Sequence, residues 1–172
     1  MIKYAETSIV FREFPDEVTL AINLTNCPYH CPGCHSPHLQ EDTGKELTEK
    51  ELGQMLDYYK GRITCVGFMG GDGDKIGLYN LAKSVKVKFP GLKIGWYSGS
   101  SGIPPIIHDT DIMFDYNIFD YMKIGPYINE LGPLDSPTTN QRLYRRVGND
   151  WEYVPMFKDP KQGIEPMSFQ KE

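Results

Sequence analysis

Short apolar, β-rich segments alternate with stretches of helical periodicity along this chain, and that alternation limits the architectures open to it. Val18 to Leu24 (VTLAINL) reads as a strand that delivers a loop through Thr25 and Asn26. From Thr48 to Lys60, Leu52, Met55, Leu56 and Tyr59 fall at helical spacing, and Thr48 with Glu51 has the capping-box pattern. Ile63 to Met69 predicts a second strand, which runs directly into Gly70, Gly71, Asp72 and Gly73. Leu78, Leu81, Ala82, Val85 and Phe89 share one face of a second helix that stops at Pro90-Gly91. Leu92 to Tyr97 predicts a third strand, Asp109 to Tyr116 a further helix, and Phe119 to Ile124 a fourth strand. Strands joined through helices imply right-handed crossovers and a parallel sheet, with ligands at the carboxyl ends of the strands. About four such units are too few for a closed eightfold barrel of roughly 200 or more residues, so an open, partial (β/α) barrel is the expected fold.

The chain of 172 residues is the size of one domain, and residues 1–158 are expected to form it. After Pro126 the pattern changes: LGPLDSPTTN is a turn-rich connection, and RLYRRV, GND and WEYVPM read as a hairpin across Gly148-Asn149-Asp150. Residues 159–172 carry little apolar content and read as a loosely held tail. The formal charge of -5 disfavours a nucleic-acid partner, which would need clustered Lys and Arg. No apolar run approaches the roughly 20 residues that span a bilayer. The opening MIKYAETSIVFREF is polar where a signal peptide is apolar, so a cytoplasmic protein is expected.

Three of the four cysteines lie within residues 27–34, as Cys27-Pro-Tyr-His-Cys31-Pro-Gly-Cys34. Without an export signal, such clustering favours metal binding over disulfides. Two prolines and a glycine keep the loop out of helix and strand, so three thiolates can converge on one centre. Iron-sulfur cubes usually take four cysteines, and three would leave one iron with an open position, the mark of a reactive site. An open iron can be chelated by the amino and carboxylate groups of an amino-acid ligand, of which S-adenosylmethionine is one. A zinc site completed by His30 or His35 is a further reading, and a redox pair of Cys31 and Cys34 would leave Cys27 unexplained. Cys65 lies in an apolar run and reads as a small buried hydrophobe.

These residues resemble the radical S-adenosylmethionine superfamily, whose signature is Cys-x3-Cys-x2-Cys after the first strand. More specifically they look like the activating proteins of anaerobic ribonucleoside-triphosphate reductases, which are similarly short and share the Cys-Pro-Gly-Cys ending. Gly33 stands where the superfamily often has an aromatic, a departure shared with that subfamily. Gly70-Gly71-Asp72 resembles the motif whose backbone meets the ammonium of S-adenosylmethionine, with Asp for the commoner Glu. Trp96-Tyr97-Ser98-Gly99 looks like the Trp-Thr-Gly segment at the third strand; Asp120 to Tyr127 and Thr138-Thr139-Asn140-Gln141-Arg142 look like later segments. The matches lie in register from about residue 18 to 146.

The resemblance implies a fold of the radical S-adenosylmethionine type, with the hairpin as a short C-terminal extension. It implies a 4Fe-4S cluster on Cys27, Cys31 and Cys34, and S-adenosylmethionine bordered by Gly33, Cys34, His35, Gly70, Gly71, Asp72 and Ser98. The implied activity is glycyl-radical activation, in which a hydrogen is abstracted from a backbone glycine of the reductase's glycyl-radical subunit. The implied electron donor is a low-potential protein such as a flavodoxin. An activase of another glycyl-radical enzyme, such as pyruvate formate-lyase, a radical enzyme acting on a small molecule, and a non-enzymatic iron-sulfur or zinc binding module remain alternatives. Taken alone, Gly70 and Gly71 would make only a tight turn, Ser98 a turn after Tyr97, and His35 an exposed loop residue. Arg142, Arg145 and Arg146 could face a partner or solvent.

Overall fold

The computed structural model describes residues 1–102, 107–108 and 113–156. Its elements are β1 (Lys3–Val10), β2 (Thr19–Leu24), β3 (Lys45–Glu46), α1 (Glu49–Tyr58), β4 (Cys65–Met69), α2 (Lys75–Lys88), β5 (Lys93–Tyr97), β6 (Ile107–His108), β7 (Met113–Phe114), β8 (Tyr121–Ile124), β9 (Arg142–Val147) and β10 (Asp150–Val154). Eight strands form one sheet in the order β10-β9-β8-β5-β4-β2-β1-β3, and β6 and β7 pair antiparallel in a separate two-stranded sheet. Strands β2, β4, β5 and β8 run parallel. The flanking pairs β1 with β2, β1 with β3, β8 with β9, and β9 with β10 are antiparallel.

This architecture corrects the expected open, partial (β/α) barrel: the described chain is mostly sheet, an eight-stranded mixed sheet with two short helices. Among the described residues the strand and helix alternation holds as far as β5. The helix expected over Asp109 to Tyr116 lies partly outside the described residues, and its described end is β7 followed by a single 3-10 turn at Tyr116–Ile118. Residues 3–10, read as no element in sequence, form β1 and pair antiparallel with β2. The tail 159–172 also lies outside the described residues.

Local signals account for the two helices. Thr48 caps α1 by accepting from the Glu51 amide at 3.1 Å. Glu51 does not complete the box; its carboxylate takes Lys45 and the Tyr4 hydroxyl instead. Asp74 caps α2 through the Gly77 amide at 2.9 Å, which starts that helix three residues before the periodic stretch.

Period-two alternation sorts the parallel strands into two faces. Leu20, Ile22, Val66, Phe68, Ile94, Trp96 and Met122 point to one side, where Leu52 and Leu56 of α1 and Leu78, Ala82 and Val85 of α2 cover them. Each fully buried large side chain there contributes about 1.5–3 kcal/mol. The other face carries no helix among the described residues. Phe14, from the β1–β2 loop, lies on it with Cys65, Tyr121 and Leu143. Paired glycines make the floor for its ring: Gly67 faces Gly95 across β4 and β5, and a Cβ on either would enter Phe14. Glu17 closes the amino end of this face, buried and accepting from Thr64, Lys93 and the Tyr121 hydroxyl. The carboxyl end is left open. Among the described residues no helix is long and apolar enough to cross a membrane.

Candidate functional site

All four loops that leave the carboxyl ends of the parallel strands meet at one cavity of about 1200 Å³. Cys27, Cys31 and Cys34 line it from the loop after β2, Gly70 from the loop after β4, Ser98 and Gly99 after β5, and Gly125 and Tyr127 after β8. The cysteine loop is irregular by construction. Asn26 and His30 adopt positive φ of 61° and 44°, and Gly33 reaches 71°. Its entry is tied down by the Asn26 amide to Glu41 O and the Cys27 amide to Leu39 O. Further on, Cys34 N donates to Cys31 O at 3.1 Å, and the Ser36 amide points at the Cys34 sulfur at 3.4 Å.

All three loop cysteines are free thiols and partly exposed, whereas Cys65 is fully buried and its thiol is pushed up to about 12 by burial. Burial also raises the Cys27 thiol, and the nearby Asp72 carboxylate adds to the shift. Among the described residues no three His, Cys, Asp or Glu side chains gather as ligands of one metal ion. A cube presents a separate iron to each thiolate and holds them farther apart than a single ion does. Three soft thiols spread along one loop beside an open cavity suit that donor arrangement.

Lys123 of β8 is a site residue that the sequence reading missed. Its side chain lies in the cavity wall with 9% exposure, donates to Gly125 O at 3.0 Å and sits 5.6 Å from the centre of the Tyr97 ring. Burial lowers its pKa to about 8, opposed by Asp72 and the three loop cysteines. A buried amine thus shares the cavity wall with the three loop thiols. The available signal was a lone Lys in an otherwise apolar strand.

The other expected residues divide. Gly70 borders the cavity at φ 106°, its carbonyl accepting from Trp96 Nε1 at 3.0 Å. Gly71 does not border it: the residue is buried at φ 100°, and a Cβ there would lie 3.0 Å from Leu24 and 3.2 Å from Leu78, both core residues. Asp72 turns its carboxylate toward protein groups, accepting from Ser98 Oγ at 2.6 Å, Gly99 N at 3.1 Å and the Tyr29 hydroxyl at 3.4 Å. Ser98 is buried and its hydroxyl also accepts from Ser100 N. His35 is exposed and sets its ring 4.6 Å from that of Tyr127. Gly33 lies against Asn129 of the loop after β8.

The segment from Asn140 to Arg142 turns inward. Asn140 donates to Pro126 O, Gln141 to Gly125 O, and the buried Arg142 to Thr139 O and Gln141 O. Arg146 bonds Phe119 O and pairs with Asp120, and Arg145 pairs with Glu152 on the surface.

A family model described as a 4Fe-4S single cluster domain matches residues 18–111, more than half of the chain. The matched span includes β2, all three loop cysteines, Gly70-Gly71-Asp72 and Ser98. No curated protein and no solved structure matches the chain.

Proposed function

The chain belongs to the family of 4Fe-4S single cluster domains, and on that premise we propose that it is a glycyl-radical activating enzyme whose cluster is held by Cys27, Cys31 and Cys34. The observation that carries this reading is the opening of three free thiols, spaced Cys-x3-Cys-x2-Cys, onto one cavity at the carboxyl ends of parallel strands beside the buried Lys123. Cys27, Cys31 and Cys34 would hold the cluster, which when bound would supply a low-potential electron for reductive cleavage of S-adenosylmethionine and, through it, hydrogen abstraction from a backbone glycine of the partner.

The chain's own residues bind and position. Three cysteines are one fewer than a cube's irons, which leaves room for a chelating amino acid. The Lys123 ammonium offers its carboxylate a buried positive charge. The cavity is larger than the 300–1,000 Å³ of ordinary small-molecule pockets, in keeping with a cluster and a nucleoside ligand together. Its side is open, which lets a segment of another protein reach the same space. The glycyl-radical subunit of an anaerobic ribonucleoside-triphosphate reductase is the partner we assign, with a flavodoxin-like electron donor.

Anaerobic reconstitution tests the reading in stages. About four irons per chain, reductant-dependent 5′-deoxyadenosine, and a glycyl radical seen by electron paramagnetic resonance on the added reductase subunit are expected. Iron uptake without 5′-deoxyadenosine would leave a cluster-binding module and remove the enzyme.

A further inference from the structure

We propose that Tyr29 is a positioning residue that latches the cysteine loop to the end of β5. The inference rests on the reading that this loop holds the cluster, and it concerns how the loop keeps its shape.

Tyr29 lies midway between Cys27 and Cys31 and is partly buried. Its ring lies against Gly99. A Cβ on Gly99 would fall 2.5 Å from Tyr29 Cδ2, 2.9 Å from Cε2 and 3.1 Å from Cγ. Gly99 is not among the glycines with positive φ, so backbone conformation does not explain its missing side chain. The ring does. Glycine at this position lets a tyrosine from another loop approach the main chain.

The hydroxyl end adds a weaker tie. At 3.4 Å its bond to Asp72 is long, but Asp72 is itself held by Ser98 Oγ and Gly99 N, so ring and hydroxyl end on the same hydrogen-bonded group. The cysteine loop has positive-φ residues on both sides of Cys31 and two prolines, and gains no rigidity from helix or strand bonding. Bonds at its entry hold Asn26 and Cys27. The Tyr29 contact fixes the next part of the loop and brings the thiols to the cavity before any iron is present, because ligand spheres are set by the contacts that support them.

The test compares Tyr29→Ala, Tyr29→Phe and Gly99→Ala with the native chain, first without cluster and then after reconstitution. Without cluster, amide exchange over residues 27–34 is expected to rise roughly tenfold in Tyr29→Ala and Gly99→Ala, equivalent to ~1.4 kcal/mol of local opening, and to stay near native in Tyr29→Phe. After reconstitution, the g values of the reduced cluster should shift in the first two variants and return in Tyr29→Phe. Native exchange in Tyr29→Ala, or Tyr29→Phe behaving like Tyr29→Ala, overturns the ring latch. Should Tyr29→Ala fail to fold, Gly99→Ala carries the test, since it keeps the tyrosine and displaces it. A native chain that takes up no cluster sinks the cluster assignment instead, and the exchange result stands apart from it.

Discussion

Ser98 donates its hydroxyl to the Asp72 carboxylate across 2.6 Å, and that one bond joins the loop after β4 to the end of β5. Both residues were candidates for touching a bound cofactor, yet the polar atoms they would use are turned on each other. Their contribution to the site is to hold its wall.

Ser98→Ala is therefore expected to act on stability. Losing a hydrogen bond to a carboxylate costs about 1.5–3 kcal/mol, which in a chain of this length lowers the melting temperature by about 2–4 °C per kcal/mol. Affinity for S-adenosylmethionine should change little. A thermal melt run beside a binding titration checks this, and a large affinity loss at an unchanged melting temperature would make Ser98 a direct ligand.

Replacing any one of Cys27, Cys31 or Cys34 by Ala should abolish the cluster, while Cys65→Ala should keep it, because only the first three open onto the cavity. Iron and acid-labile sulfide analysis after reconstitution reads the outcome. A Cys65→Ala chain without iron would overturn the ligand assignment.

Lys123→Met keeps the length of the side chain and removes the buried cation that faces the thiols. A positive charge favours the reduced, more negative cluster, so its loss should drive the reduction potential more negative by tens of millivolts. Affinity for S-adenosylmethionine should fall as well. A redox titration followed by electron paramagnetic resonance measures the first effect, and an unchanged potential would place Lys123 outside the cluster's field.

Gly71→Val should destabilise the whole fold, since φ 100° disfavours a side chain and the new one would meet Leu24 and Leu78. Strain and overpacking together are expected to cost on the order of 2–4 kcal/mol. Chemical denaturation measures it. A fully stable variant with selective loss of S-adenosylmethionine affinity would show instead that this glycine faces the cofactor.

A triple Ala substitution of Asn140, Gln141 and Arg142 is expected to lower melting temperature, cluster content and any activity together, because all three side chains bond backbone carbonyls around Gly125 and Thr139. A normal melt with loss of glycyl-radical formation alone would restore them to a partner surface.

The sequence by itself determined what is local. Cysteine spacing placed three thiols on one loop, short apolar β-rich runs marked β2, β4, β5 and β8, and the Thr48 cap and periodic apolar residues marked the helices. Such signals are legible because each depends on residues a few positions apart. The barrel expectation failed where the deciding interactions are remote in the chain. Residues 3–10 become a strand only by pairing with β2, and the hairpin of β9 and β10 joins the sheet only through the antiparallel pairing of β9 with β8. Lys123 was one charge in an apolar strand until the fold set it against the cysteines, and Tyr29 was a loop aromatic until Gly99, 70 positions away, met its ring. Spacing names the donors, while the cation and ring that surround them are set by contacts formed only when the sheet closes its register.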